Sequence, residues 1–309
     1  MPVRIPNTLP ACGILKDENP YFIDDGTEPS RVGMPLRIVI LNLMPTKIAT
    51  ETQLLRQLAQ SPLVVEVILL KTATHEARHT DAGHIGRHYQ SFEEIRGQSY
   101  DGLIITGAPV ELLEFEAVDY WEELTRIFDW AESNVRSTLH LCWGAQARLY
   151  FQYGIPKYYL PRKMFGIFEH RTSQPGQAFT TGFDACFMAP HSRHTEIRLD
   201  DLEKVDDIVV LASSEIAGIH IAASRDHRNL FITGHPEYDP LTLAGEYSRD
   251  LSRGLDIHLP ENYYVDNDPN QPVLVRWRSH ASLLFANWLN YGVRRSHVLA
   301  IPPAPDKTP

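Results

Sequence analysis

The chain has 309 residues, 43% of them hydrophobic and 22% charged, which is ordinary usage for a globular protein long enough to bury a full core without disulfide or metal staples. Lys and Arg total 29 against 39 Asp and Glu, a formal net charge of −10. That balance argues against a nucleic-acid partner, because phosphate backbones reward basic surfaces. No apolar run approaches the ~18–20 residues of a membrane helix, so no membrane partner is expected.

The opening stretch MPVRIPNTLPACGILKDENPYF lacks the apolar core of a signal peptide, and the protein reads as cytoplasmic. Residues 1–34 are rich in Pro, Gly, Asn and Asp and lack clear periodicity. They read as an irregular N-terminal arm packed on a single domain over 35–300, with 301–309 as a disordered tail.

Between these ends, short apolar runs alternate with amphipathic ones. Leu36–Leu43 reads as a buried strand, Glu51–Gln60 as a helix with Thr46 or Thr50 as its cap, and Val64–Leu70 as a second strand. The polar segment 72–96 carries His75, His79, His84 and His88. Their spacing could line up metal ligands, but no carboxylate-plus-His signature accompanies them, and a solvated surface segment is the preferred reading. Gly102–Thr106 reads as a third strand, Asp119–Glu132 as a helix, and Thr138–Cys142 as a strand running into a helix over Trp143–Tyr153. Later strands fall at Ile208–Ala212, Ile219–Ala222 and Leu230–Thr233, and later helices at Leu241–Leu251 and His280–Tyr291. Continuous apolar strands separated by helices predict an α/β fold: a mostly parallel sheet with helices on both faces. In such sheets the working groups gather at the carboxyl ends of the strands.

Cys142 occupies such an end, between the strand TLHLC and the helix that follows. A sharp strand-to-helix turn lifts the side chain above the sheet edge and aims a helix N-terminus at the sulfur, which favours thiolate. The Trp143 N–H next door would serve as an oxyanion donor, with a second backbone donor near Ala108 at the end of the third strand. Taken alone, a cysteine at such a junction is more often a buried structural thiol. Cys12 and Cys186 have no such context and read as inert, and the three spacings fit no zinc site.

A thiolate nucleophile needs a partner for its proton. Gly234-His235-Pro236-Glu237 follows an apolar strand and would reach the same sheet edge. With Pro236 fixing the backbone, Glu237 can turn back to His235, hold its tautomer and stabilise its imidazolium.

The two motifs together resemble the class I glutamine-amidotransferase-like fold, in which a Cys elbow and a His-Pro-Glu segment form a Cys–His–Glu triad. Further motifs narrow the likeness: Leu41-Asn42-Leu43-Met44-Pro45-Thr46-Lys47, Gly107-Ala108-Pro109-Val110-Glu111, His140-Leu141-Cys142-Trp143-Gly144-Ala145-Gln146, Pro190-His191-Ser192-Arg193 and Gly234-His235-Pro236-Glu237-Tyr238. In this order, from Met1 to the low 290s, they resemble the homoserine O-acyltransferase family of methionine biosynthesis. The resemblance implies ping-pong acyl transfer. Cys142 would take the acyl group from an acyl-CoA as a thioester, His235 would deprotonate the homoserine hydroxyl, and Glu237 would orient His235. Lys163, Ser192 and Arg249 match the family's substrate contacts, and Lys47 a family lysine near the site. The resemblance also implies a homodimer. The sequence shows no metal, nucleotide-binding glycine loop or flavin motif, so no bound cofactor or metal is expected.

Position 111 bears on the acyl group. In the family a Gly here accompanies succinyl transfer and a Glu acetyl transfer, and this chain has Glu111. A second carboxylate facing the distal carboxylate of a succinyl group would repel it and fill its space. Acetyl-CoA is therefore the expected co-substrate, with succinyl-CoA the alternative. Serine differs from homoserine by one methylene, worth only ~1–3 kcal/mol in a pocket, and remains an alternative acceptor. A glutamine amidase on the same fold is a more distant alternative.

Overall fold

A computed structural model describes residues 3–19, 21–24, 34–73, 81–173 and 177–294. Among them, twelve strands form one sheet: β1 (Val3–Arg4), β2 (Ile23–Asp24), β3 (Leu36–Leu41), β4 (Val65–Leu70), β5 (Tyr89–Gln90), β6 (Tyr100–Ile105), β7 (Val135–Leu141), β8 (Tyr158–Thr172), β9 (Cys186–Glu196), β10 (Ile208–Ser214), β11 (Gly218–Ser224) and β12 (Asn229–Ile232). Their order is β2-β1-β4-β3-β6-β7-β12-β11-β10-β8-β9, with β5 beside β4. From β2 to β12 every pairing is parallel; from β12 to β9 every pairing is antiparallel. The sheet is thus a mostly parallel one with an antiparallel outer part.

Strand alternation divides the core between two faces. Ile38 and Ile40 of β3 pack with Leu54, Leu55 and Leu58 of the Lys47–Ala59 helix and with Leu284 and Phe285 of the Arg278–Asn287 helix. Val39 and Leu41 face the other way, toward Leu124, Ile127 and Phe128 of the Trp121–Asn134 helix and toward Trp143 and Ala147 of the Trp143–Tyr153 helix. A strand buried on both sides must be apolar at every position, which is why Ile38–Leu41, the fully buried part of β3, reads as the unbroken run IVIL, with Arg37 at its partly exposed start.

Several sequence expectations need correction. The first helix of the core begins at Lys47, a turn before Glu51, with Thr46 at its N-cap position but no side-chain cap bond. The N-terminal segment is not irregular throughout: Pro10–Glu18 is a helix that buries Ala11, Cys12 and Leu15, and Val3 pairs with Val65 inside the sheet. A two-residue strand is too short to show periodicity, and Pro at the start of that helix is a first-turn residue rather than a breaker. The long β8–β9 hairpin had no counterpart among the expected strands. Its first half is half-exposed and interrupted by a register shift between Tyr159 and Met164, so it shows no apolar run. His75, His79 and the 301–309 tail lie outside the described residues. His84 is not on a solvated surface: it is buried, with Nε2 2.9 Å from Glu51 Oε1. Among the described residues no helix is long and apolar enough to cross a membrane.

Candidate active site

β7 lies between β6 and β12, both parallel to it, so the three carboxyl ends open onto one edge. Cys142 follows β7 directly with φ 48° and ψ −115°, a left-handed backbone rarely adopted by a residue with a side chain. Its N–H donates to Ile232 O at 2.7 Å, and its carbonyl accepts from Ala145 and Gln146 in the first turn of the next helix. Strain at this point sets the sulfur above the sheet edge. Gly144 makes the turn feasible, since a Cβ there would meet Thr106 O at 2.7 Å. Helix geometry leaves the first-turn N–H of Trp143 without an intrahelical acceptor, beside the sulfur. Ala108 lies across the same cavity, after β6.

The strand β12 delivers His235 to the same edge. Its N–H donates to Pro190 O at 2.8 Å, and its ring stacks on Tyr238 with centroids 4.2 Å apart. Nδ1 lies 2.8 Å from Glu237 Oε1, and the imidazole stands beside the Cys142 side chain, close enough for the two to interact electrostatically. Cys142, His235 and Glu237 are all buried. Burial by itself pushes the imidazole pKa down, but the sulfur and the carboxylate on either side outweigh it and hold His235 well above its ordinary value. A thiol, an imidazole and a carboxylate in this chain have the chemistry to form and discharge a covalent thioester.

Cys142 and His235 open into a cavity of about 780 Å³ that also takes in Glu111, Lys163, Ser192, His194, Glu246, Arg249 and Asp250. Lys163 Nζ lies 3.4 Å from Glu246 Oε2 and 3.3 Å from Asp250 Oδ2. Ser192 Oγ donates to Glu246 Oε2 at 2.5 Å, Tyr238 Oη to Glu246 Oε1 at 2.8 Å, and Arg249 Nε to Asp250 Oδ1 at 2.7 Å. Burial raises the Asp250 carboxyl, but Arg249 and Lys163 outweigh that and hold it below its usual value. The cavity wall thus presents carboxylates and cations together, as a zwitterionic ligand requires. Glu111 Oε1 accepts from His194 N at 3.0 Å, and burial pushes its carboxyl above the usual range.

Sequence reasoning missed Glu246 and Asp250. With Arg249 they occupy spacings of three and four on the Thr242–Ser252 helix, so one face carries all three, and that spacing was the available signal. Lys47 stands next to the cavity, behind its wall rather than in it. Its Nζ donates to Asn42 O at 2.5 Å and Met44 O at 3.2 Å, and burial lowers its pKa to about 8. It braces the turn whose next residues, Met44 to Thr46, form part of the wall. Cys12 and Cys186 are free thiols away from the cavity.

The sheet order and the elbow place the molecule in the class I glutamine-amidotransferase-like fold. A glutamine amidotransferase from Thermotoga maritima superposes with a TM-score of 0.54 at 11% identity, over 84% of this chain and 98% of that one. The narrower relationship comes from sequence. The family model for homoserine O-succinyltransferase matches residues 2–298, and the chain belongs to that family. It is 54% identical over 293 residues to a homoserine O-acetyltransferase of Acetivibrio thermocellus and to another of Bacteroides thetaiotaomicron, covering 95% of this chain and 96% of each relative. The chain is an acyltransferase.

Proposed function

We propose that the protein transfers the acetyl group of acetyl-CoA to the hydroxyl of L-homoserine through a thioester on Cys142, the first committed step of methionine biosynthesis. The observation that carries this reading is the Cys142–His235–Glu237 chain opening onto a cavity that also holds the Glu111 carboxylate. Cys142 attacks the thioester carbonyl, and the N–H groups of Trp143 and Ala108 receive the developing oxyanion. Coenzyme A leaves as the thiol, taking its proton from His235. The homoserine hydroxyl then gives its proton to His235 while its oxygen attacks the Cys142 thioester, and the sulfur is released. Glu237 accepts from Nδ1 throughout and stabilises the imidazolium.

Lys163, Ser192 and Arg249 contact the amino acid or the donor, with Glu246 available to an ammonium group. Glu111 sets the acyl preference. Acetyl-CoA acts as a co-substrate and no bound cofactor or metal takes part. The protein works as a cytoplasmic homodimer on small molecules, without nucleic acid or membrane.

Mass spectrometry after mixing the protein with acetyl-CoA alone tests the reading. One acetyl group is expected on the peptide that carries Cys142, discharged on adding homoserine and absent from Cys142→Ser. An adduct on another residue, or a kcat/KM favouring succinyl-CoA or serine, would overturn the corresponding assignment.

A further inference from the structure

Beneath the turn that carries His235 lie three buried imidazoles from three strands: His170 of β8, His191 of β9 and His220 of β11. A Cβ on Gly234 would come within 2.9 Å of His220 Cε1, 3.0 Å of His191 Cε1 and 2.6 Å of Pro190 O. The turn therefore rests directly on these rings. The residue before His191, Pro190, also accepts the His235 N–H. Whatever fixes His191 fixes the floor of the turn.

Arg193 supplies that fixing. Its guanidinium is buried and donates to Thr195 O at 2.7 Å, to Ala217 O at 2.6 Å and, through Nε, to His191 Nδ1 at 3.4 Å. A guanidinium can only donate, so His191 Nδ1 must accept and its proton must sit on Nε2. His191 Nε2 lies 3.1 Å from His170 Nε2, which must then accept, leaving the His170 proton on Nδ1. That nitrogen is 3.0 Å from Phe168 O, a carbonyl that accepts it. Each proton along the row has a single position.

We propose that Arg193, His191 and His170 form a one-directional chain of hydrogen bonds that positions the Gly234–His235 turn and so aims the His235 ring at Cys142. All three are positioning residues and touch no reacting atom. Burial keeps the chain neutral apart from Arg193, with His170 lowered to about 4 and His191 and His220 also lowered. The charged and titratable groups facing the rings are Arg193, His235 and the rings themselves. The same three histidines offer nitrogens within 4.8 Å of one another, as a metal ligand set would. A metal on His191 Nε2 would force the proton onto Nδ1, against the Arg193 N–H. The chain and a metal therefore exclude each other.

The test uses the full chain, and its NMR and alkylation readouts need no acyl donor, so those two stand apart from the substrate assignment. Nitrogen NMR of labelled histidines should show His191 as the Nε2–H tautomer and His170 as the Nδ1–H tautomer at neutral pH. His170→Phe removes the acceptor, whereas His170→Gln can return one through its side-chain carbonyl. His170→Phe should slow iodoacetamide alkylation of Cys142 and kcat by about tenfold, with KM within about twofold, the scale expected from misplacing a reacting group. His170→Gln should recover to within about threefold of the parent. An Nδ1–H tautomer at His191, equal losses in both variants, no loss in a folded His170→Phe, or stoichiometric metal retained on dialysis would each overturn the proposal. If His170→Phe does not fold, the tautomers of the parent protein decide.

Discussion

His235 Nδ1 sits 2.8 Å from Glu237 Oε1, two residues further along the chain and separated from it by one proline. Both are buried, so water cannot substitute for the carboxylate if it is removed. A Glu237→Gln variant keeps the size but can present an amide donor to Nδ1, favouring the wrong tautomer. Its kcat should fall by about 10²–10⁴-fold, as when the carboxylate of a catalytic triad is amidated. Steady-state kinetics with both substrates check this, and a loss confined to KM would contradict it.

Space around the sulfur is equally tight. A Cβ on Gly107 would stand 3.2 Å from Cys142 Cβ and 3.4 Å from His235 Cε1. Those neighbours are the two groups that must meet, and neither can move freely. Gly107→Ala is expected to lower kcat by about 10²-fold through displacement of the reacting atoms, while leaving the unfolding midpoint nearly unchanged. Cys142 alkylation rates and thermal unfolding measured side by side separate the two effects.

Much of this arrangement was legible in the residues, for local reasons. Doubly buried strand segments such as IVIL at Ile38–Leu41 must be apolar throughout, and the turn at Cys142 and the Gly-His-Pro-Glu segment are short motifs whose chemistry depends on neighbours in the chain. What escaped depends on contacts between distant segments. His170, His191 and His220 meet only because β8, β9 and β11 fold together, and nothing within ten residues of any one of them points to the others. Lys47 is suggested only by the family resemblance, and where its side chain goes, to the Asn42 and Met44 carbonyls, is a matter of packing. Strands β1 and β2, two residues each, exist because β1 pairs with β4 and β2 in turn with β1.

Glu111 is held in the cavity by the His194 N–H, and its carboxyl is pushed above the usual range chiefly by burial. A second carboxylate brought into that space meets both charge repulsion and lost volume. Glu111→Gly should shift the ratio of kcat/KM for succinyl-CoA over acetyl-CoA upward by tenfold or more, about 1.4 kcal/mol of relative barrier. Competition between the two donors at fixed homoserine reads the ratio directly. An unchanged ratio would mean that the carboxylate does not face the acyl group.

Acid stability offers a last measurement, independent of substrate. His140 is buried in β7 with Nε2 3.1 Å from Asn229 Oδ1, and burial, then the nearby Arg148, lowers its pKa to about 3. His170, His191 and His220 are also depressed, chiefly by burial. A histidine depressed in the folded state stays neutral there while its unfolded counterpart, near 6.5, takes up a proton. Its stabilising contribution is therefore complete above about pH 6.5 and is lost as pH falls toward the folded value, at about 1.4 kcal/mol per pH unit per histidine. His235 has the opposite sign, because its folded value is raised: its contribution is present below about pH 6.5 and fades as pH rises through that raised value. Urea unfolding between pH 5 and pH 6 should accordingly show stability dropping as the solution is acidified. His140→Gln, which can still donate to Asn229, should reduce that slope by about 1.4 kcal/mol per pH unit. An unaltered slope in the variant would show that His140 is not held neutral in the folded protein.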